Sequence, residues 1–349
     1  MRTEIRQQRL RDKLQRRRGS TLISKALLLA VFCTLLFVLA PSAQTQQRTK
    51  LPKVGLLRGR ASASGTSLDG VLRELRGLGY VDDKNIAFES RSAENKLDRL
   101  PFLAAELVAL KVDLLLVPAR VEALAAKNAT RTIPVVCLDI GDPVALGLVN
   151  SLARPGGNIT GFTAINAMLT GKRLALLKET IPRLSRVTVL MNSQDSSISE
   201  VEWKESQLAA RDLGVQLHSM EVSTADKIED AFKEAAKVHS EALVLTQQGL
   251  FSANQKRIAD LTVKNRLPAI YPRGDYVASG GLMSYGADQA ERYRRIAALV
   301  DKILKGTKPA DVPVEQPTKF ELVINLKATK KIGLTIPPNV LARADRVIK

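Results

Sequence analysis

The sequence predicts an α/β protein of two lobes, each built on a doubly wound parallel sheet and joined by a hinge of several chain crossings. Three observations carry this. Short apolar runs recur without polar alternation, as in strands covered on both faces. Helical patterns separate them, and strand and helix taking turns is how a sheet acquires helices on both sides. The alternation breaks at two glycine-rich stretches, RPGGNITG (154–161) and ASGGLMSYG (278–286), where one lobe hands over to the next.

The opening of the chain reads as an export signal. Residues 1–25 hold nine Lys or Arg against Glu4 and Asp12, and the apolar run ALLLAVFCTLLFVLA follows from Ala26 to Ala40. That run is shorter than the ~20 residues that span a bilayer comfortably, and small residues follow it. A secretory leader over residues 1–43 is expected, with cleavage after Ala40 or after Ser42 both suiting a small-residue rule. The expected location is the periplasm; an uncleaved anchor is the alternative. Cys33 follows the bulky Phe32, which argues against a lipid anchor. Loss of the leader takes the net charge from +18 to +11 and leaves about 309 residues, enough for two domains. The remaining charges are scattered along helices, as on a solvated surface. Cys137 is then the sole cysteine, so no intramolecular disulfide is available and packing must hold the fold.

The strands read in order as KVGLL (53–57), NIAFES (85–90), VDLLLV (112–117), IPVVCL (133–138), RVTVLM (186–191), VQLHSM (215–220), ALVLT (242–246) and LPAIY (267–271). Leu68, Val71, Leu72, Leu75 and Leu78 share one helix face that stops at Gly79. Leu97, Leu100, Leu103, Ala104 and Leu107 repeat the pattern. The second break carries a short strand and then a helix in which Tyr293, Ile296, Ala297, Val300 and Leu304 share a face. This reads as the chain returning to the first lobe. Residues 51–160 with 285–310 are the expected first lobe, and 161–284 with 311–349 the second.

Four long blocks carry a resemblance: GDPVALGLVNSLARPGGNITG, GKRLALLKETIPRLSRVTVLMN, LPAIYPRGDYVASGGLMSYG and KPADVPVEQPTKFELVINLKATKKIGLTIPPNVLARADRVI. They resemble a bacterial family of ABC transporter substrate-binding proteins related to the tryptophan/tyrosine-binding TrpX-like proteins. The resemblance spans nearly all of the chain after about residue 51. It implies the type I periplasmic binding protein fold, with a small ligand captured between two Rossmann-like lobes and a three-segment hinge. It also implies two kinds of partner, a membrane permease pair and an ATPase. No cofactor or metal is implied.

Ligands of such sheets bind beyond the carboxyl ends of the strands. In the first lobe those loops hold Arg58, Gly59 and Arg60, then Ala119 and Arg120, then Asp139 to Pro143 including Asp142. In the second they hold Asn192, Ser193 and Gln194, then Gln247 and Gln248, then Tyr271 and Arg273. Each has a structural alternative. Asp142 before Pro143 either meets a ligand amine or turns the chain into a helix. Asn158 and Thr160 either line the hinge or bond its backbone, and Tyr271 and Tyr285 either stack a ligand or fill a core. Gly161 and Ser284 belong to the expected hinge. Arg120 stands where the family carries a small GTP-like or GTS-like turn, so a ligand with a carboxylate or other anionic group is expected.

Catalysis finds no support in the sequence. His218 and His239 sit in no HExxH motif or Cys/His cluster. GTSLDG (65–70) misses the nucleophile elbow by one residue, and neither GxGxxG nor GxxxxGK[ST] appears. A membrane-tethered ligand sensor with the same fold is the rival function.

Overall fold

The computed structural model describes residues 51–59, 67–163, 166–193 and 196–349, and a single compact unit runs from Leu51 to Lys349. The expected leader, Arg60 and Gln194 lie outside the described residues.

The first sheet is formed by β1 (Lys53–Arg58), β2 (Ala87–Ser92), β3 (Leu114–Val117), β4 (Val135–Cys137) and β5 (Ile159–Gly161), all parallel, in the order β2-β1-β3-β4-β5. The unbroken apolar runs of β1, β3 and β4 follow from burial on both faces. On β3, Leu114 and Leu116 join Val54 and Leu56 against α1 (Ser67–Gly77) and α10 (Gln289–Leu304), meeting Leu68, Val71, Leu75, Ile296 and Val300. Leu115 and Val117 point the other way, toward Leu103 and Leu107 of α2 (Leu100–Ala109) and Ala123 and Ala126 of α3 (Arg120–Ala129). Successive side chains alternate across the sheet, so a strand sandwiched by helices needs apolar residues at every position. Of the leucines at helical spacing near 68–78, Leu78 is the exception: it lies beyond the last helical turn and is 53% exposed.

The second sheet is formed by β6 (Arg186–Asn192), β7 (Gln216–Val222), β8 (Ala242–Leu245), β9 (Ala269–Tyr271), β10 (Met283–Ala287), β11 (Phe320–Asn325) and β12 (Arg346–Ile348), in the order β12-β11-β10-β9-β8-β6-β7. One face carries Val187, Val189, Val244 and Ile270 against Leu174 and Leu177 of α4 (Asn166–Thr180), which itself packs on α5 (Ser196–Leu213). The other carries Leu190, Leu243 and Leu245 against Ile228 and Phe232 of α6 (Ile228–Lys237) and Ile258 of α8 (Gln255–Lys264). The short α7 (Gly249–Ala253) and α9 (Gly274–Ala278) follow β8 and β9; α11 (Leu326–Ile332) and α12 (Pro338–Leu341) lie between β11 and β12. The pairing departs from the all-parallel expectation at one place, where β11 runs antiparallel to β10. β11 enters from the chain's last crossing rather than through a helical crossover, so no right-handed crossover fixes its direction.

The chain passes between the sheets three times. It leaves β5 through Phe162 and Thr163 toward α4, leaves β10 at Ala287 for α10, and returns through Glu315 to β11. The first and third passages are bonded to each other: Thr163 N–H donates to the Glu315 carbonyl at 2.9 Å and Glu315 N–H to that of Gly161 at 2.8 Å. Gly161 has φ of +140°, and a Cβ there would lie 2.1 Å from the Cys137 carbonyl oxygen, so only glycine fits this passage. Arg295 of α10 ties the three together by pairing with Glu315, lying 5.3 Å over the Phe162 ring and bonding Thr318 at 3.2 Å. Lys319 meets Asp288 at 2.9 Å.

Candidate functional site

The carboxyl ends of β4, β8 and β9 deliver three of the expected residues to one cluster. Asp139, two residues past β4, accepts a hydrogen bond from Gln247 Nε2 at 3.1 Å, and Gln247 follows β8 of the other sheet. The same oxygen, Oδ2, meets Arg292 Nη1 of α10 at 3.4 Å. Arg273, which caps α9, is close enough to act on Asp139 electrostatically and is itself ion-paired with Asp275. Burial pushes the Asp139 carboxyl above the usual carboxylate range, against the pull of Arg292, Arg273 and the Gly141 N–H. Burial works against the Arg273 charge too, but Asp275 and the phenol groups of Tyr293 and Tyr276 outweigh it and hold the guanidinium above its ordinary value. The cluster is therefore a half-buried set of opposite charges where the two sheets' loops meet. Such a set discriminates ligands by charge placement as well as by size.

Other expected residues sit nearby or elsewhere. Arg58, at the end of β1, meets Asp69 of α1 at 3.6 Å. Arg120 is half-buried in the first turn of α3, two residues before Glu122, whose buried carboxylate accepts the Gly59 N–H at 2.8 Å. Asn192 is buried at the end of β6. Tyr271 takes the core alternative: it is fully buried, stacked on Tyr276 with ring centroids 5.0 Å apart, and its hydroxyl bonds Thr262 at 2.7 Å. Tyr285 stacks on Phe320 under the Lys172 ammonium. Asp142 takes the turn alternative, accepting the N–H groups of Val144 and Ala145 at 3.0 Å each. Asn158 bonds the carbonyls of Ile133 and Thr130, and Thr160 that of Val312 at 2.9 Å; both brace the passage out of β5 through backbone. Ser284 is buried within β10.

Two charged features escaped the sequence reading. Arg292 is only 6% exposed and stands four residues before Ile296 and eight before Val300, so a guanidinium interrupts the apolar stripe of α10. That interruption was the available signal, masked by the neighbouring Arg294 and Arg295. Arg173 of α4 and Glu202 of α5 form a fully buried pair 3.7 Å apart, and the Glu202 carboxylate lies 3.4 Å from the Gln247 N–H. This pair underpins the loop that carries Gln247. Among the described residues, no group of three or more His, Cys, Asp or Glu could hold a metal ion.

The profile described as "ABC transporter substrate binding protein" matches residues 61–348. The chain belongs to that family. It is 26% identical over 266 residues to a tyrosine-binding protein of Clostridioides difficile, covering 76% of each chain. Among solved structures it is similar to a conserved domain protein from Vibrio cholerae, with TM-score 0.77 and 26% identity over 85% of this chain and 100% of that one. It is also similar to a Streptococcus protein solved in complex with L-Trp, with TM-score 0.75 and 26% identity over 85% and 99% of the two chains. The fold is thus that of the type I periplasmic binding proteins, and the family is one of small-molecule binding proteins rather than enzymes. Among the described residues, no helix is long and apolar enough to cross a membrane.

Proposed function

We propose that this chain is the exported receptor of an ABC importer and captures an amino-acid-like ligand between two lobes organised on its two sheets. Hinge movement at the three crossings closes the lobes, and the loaded form docks on a membrane permease driven by its ATPase. Residues 1–43 direct export to the periplasm. The observation that carries the reading is the cluster of Asp139, Gln247, Arg273 and Arg292 at the strand ends of both sheets. Its charges are balanced, Arg273 being matched by Asp275 and Arg292 by Asp139. A balanced set of fixed charges favours a zwitterion over a ligand of large net charge, because each end of a zwitterion finds its opposite without leaving a buried charge unpaired. Relatives that bind tyrosine and L-Trp by their names support the same class. Arg120, in the first turn of α3, offers a further guanidinium for the ligand's carboxylate.

Isothermal titration with the L-amino acids tests this. One amino acid or a small group binds, and Arg273→Met or Arg120→Ala weakens that binding tenfold or more, the loss expected for a charge-assisted hydrogen bond. Undiminished affinity in both variants would remove these arginines from the site.

A further inference from the structure

The contact between Asp139 and Gln247 is direct, side chain to side chain, and joins loops that belong to different sheets. Asp139 does not reach Gln247 as a loose loop residue. Its Oδ2 is shared with Arg292, which is almost wholly buried on α10, the helix whose Ile296 and Val300 pack in the first sheet's core. On the opposite side, the Gln247 backbone N–H lies against the Glu202 carboxylate, which is anchored in turn by Arg173. Each half of the contact is therefore fixed by a buried charge in its own lobe. Neither half needs a third molecule to present it.

We propose that Arg292, Asp139 and Gln247 form a latch with which the chain closes on itself through its own side chains. Arg292 acts as the positioning residue that holds Asp139 toward the opposing lobe. The inference rests on the hinged two-lobe reading but not on which ligand the lobes capture. A receptor built this way populates its closed form without cargo, and a ligand entering the cluster exchanges its own polar groups for the Asp139–Gln247 bond. A ligand shifts the open and closed populations only by its differential affinity for them, so the latch sets the baseline from which the ligand works. The charged groups around the latch are Arg292 and Arg273, the Asp275 partner of Arg273, and Glu202 behind Gln247.

Small-angle X-ray scattering of the exported protein, with no ligand added and folding checked by circular dichroism, tests the latch. The wild type is expected to be compact. Gln247→Ala, which removes the bond without disturbing a core residue, shifts the open-to-closed ratio by about tenfold and raises the radius of gyration. Gln247→Glu sets a carboxylate against Asp139 and opens the molecule further at neutral pH, with closure recovered on acidification. Arg292→Leu opens it as well, and Arg292→Lys restores compactness, which a purely packing role for Arg292 would not require. A wild-type radius equal to that of Gln247→Ala and Gln247→Glu overturns the proposal. If the amino-acid screen fails while these radii differ, the ligand reading falls and the latch stands.

Discussion

Arg173 and Glu202 show how a buried pair can support a site from behind, the Glu202 carboxylate lying against the Gln247 N–H. Both side chains are completely buried, and burial pulls the Arg173 guanidinium down to about 10 although Glu202 opposes the shift. Removing one partner leaves the other charged in a low-dielectric interior, which costs about 3–5 kcal/mol, whereas replacing both by apolar groups is often neutral. Arg173→Met is therefore expected to lower the urea-unfolding free energy by about that amount, and Arg173→Met with Glu202→Leu to recover most of it. Equal losses in the single and double variants would show that the pair carries no such coupling. Single residues were only partly legible in the sequence. Strand ends are readable, which puts Asp139 and Gln247 in the loops after β4 and β8, but whether Tyr271 meets a ligand or fills a core is decided only by its stacking on Tyr276 and bond to Thr262. Arg292 and Arg173 lay inside helices, away from the loops where ligand residues are sought.

At the scale of elements, α10 is the part whose ends matter most, because it begins at the second crossing. Asp288 caps it, accepting the N–H groups of Ala290 and Glu291, and pairs with Lys319 of the third crossing. Burial pushes the Asp288 carboxyl up, but the Lys319 ammonium and those two N–H groups outweigh it and hold the carboxyl below its ordinary value of 3.8. A carboxylate with a depressed folded-state pKa contributes stability that is complete above its unfolded pKa and is lost as the pH falls through the folded value. Asp288→Ala is thus expected to cost about 1 kcal/mol at neutral pH, and the gap from wild type to narrow below about pH 4. Denaturation curves across pH measure this, and a gap that stays constant to pH 2 would contradict it. The central strands such as β1, β3, β6 and β8 were readable because a two-faced sheet imposes a continuous apolar run. β5, β11 and β12 were not, since ITG and RVI are too short to carry a pattern and FELVIN mixes charge with apolar residues. The antiparallel direction of β11 has no local signature at all.

At the scale of the molecule, two sheets of mostly parallel strands bring the loops after β4, β8 and β9 to a shared cluster while three short passages connect them. The two-lobe plan followed from the glycine-rich breaks, and family membership followed from four ordered blocks. Ligand identity followed from neither, because it depends on which side chains converge across the sheets, and convergence over more than a hundred residues of sequence leaves no periodic trace. The most direct test of the central claim is a thermal-shift measurement on the exported protein with each L-amino acid, its decarboxylated amine and its N-acetylated acid. A bound amino acid at one hundred times its dissociation constant adds about 2.7 kcal/mol of stability. The account predicts that shift for an aromatic or other amino acid and its loss in both derivatives, since each lacks one of the two charges. No shift with any amino acid, or equal shifts with the amine or the acetylated acid, would contradict it.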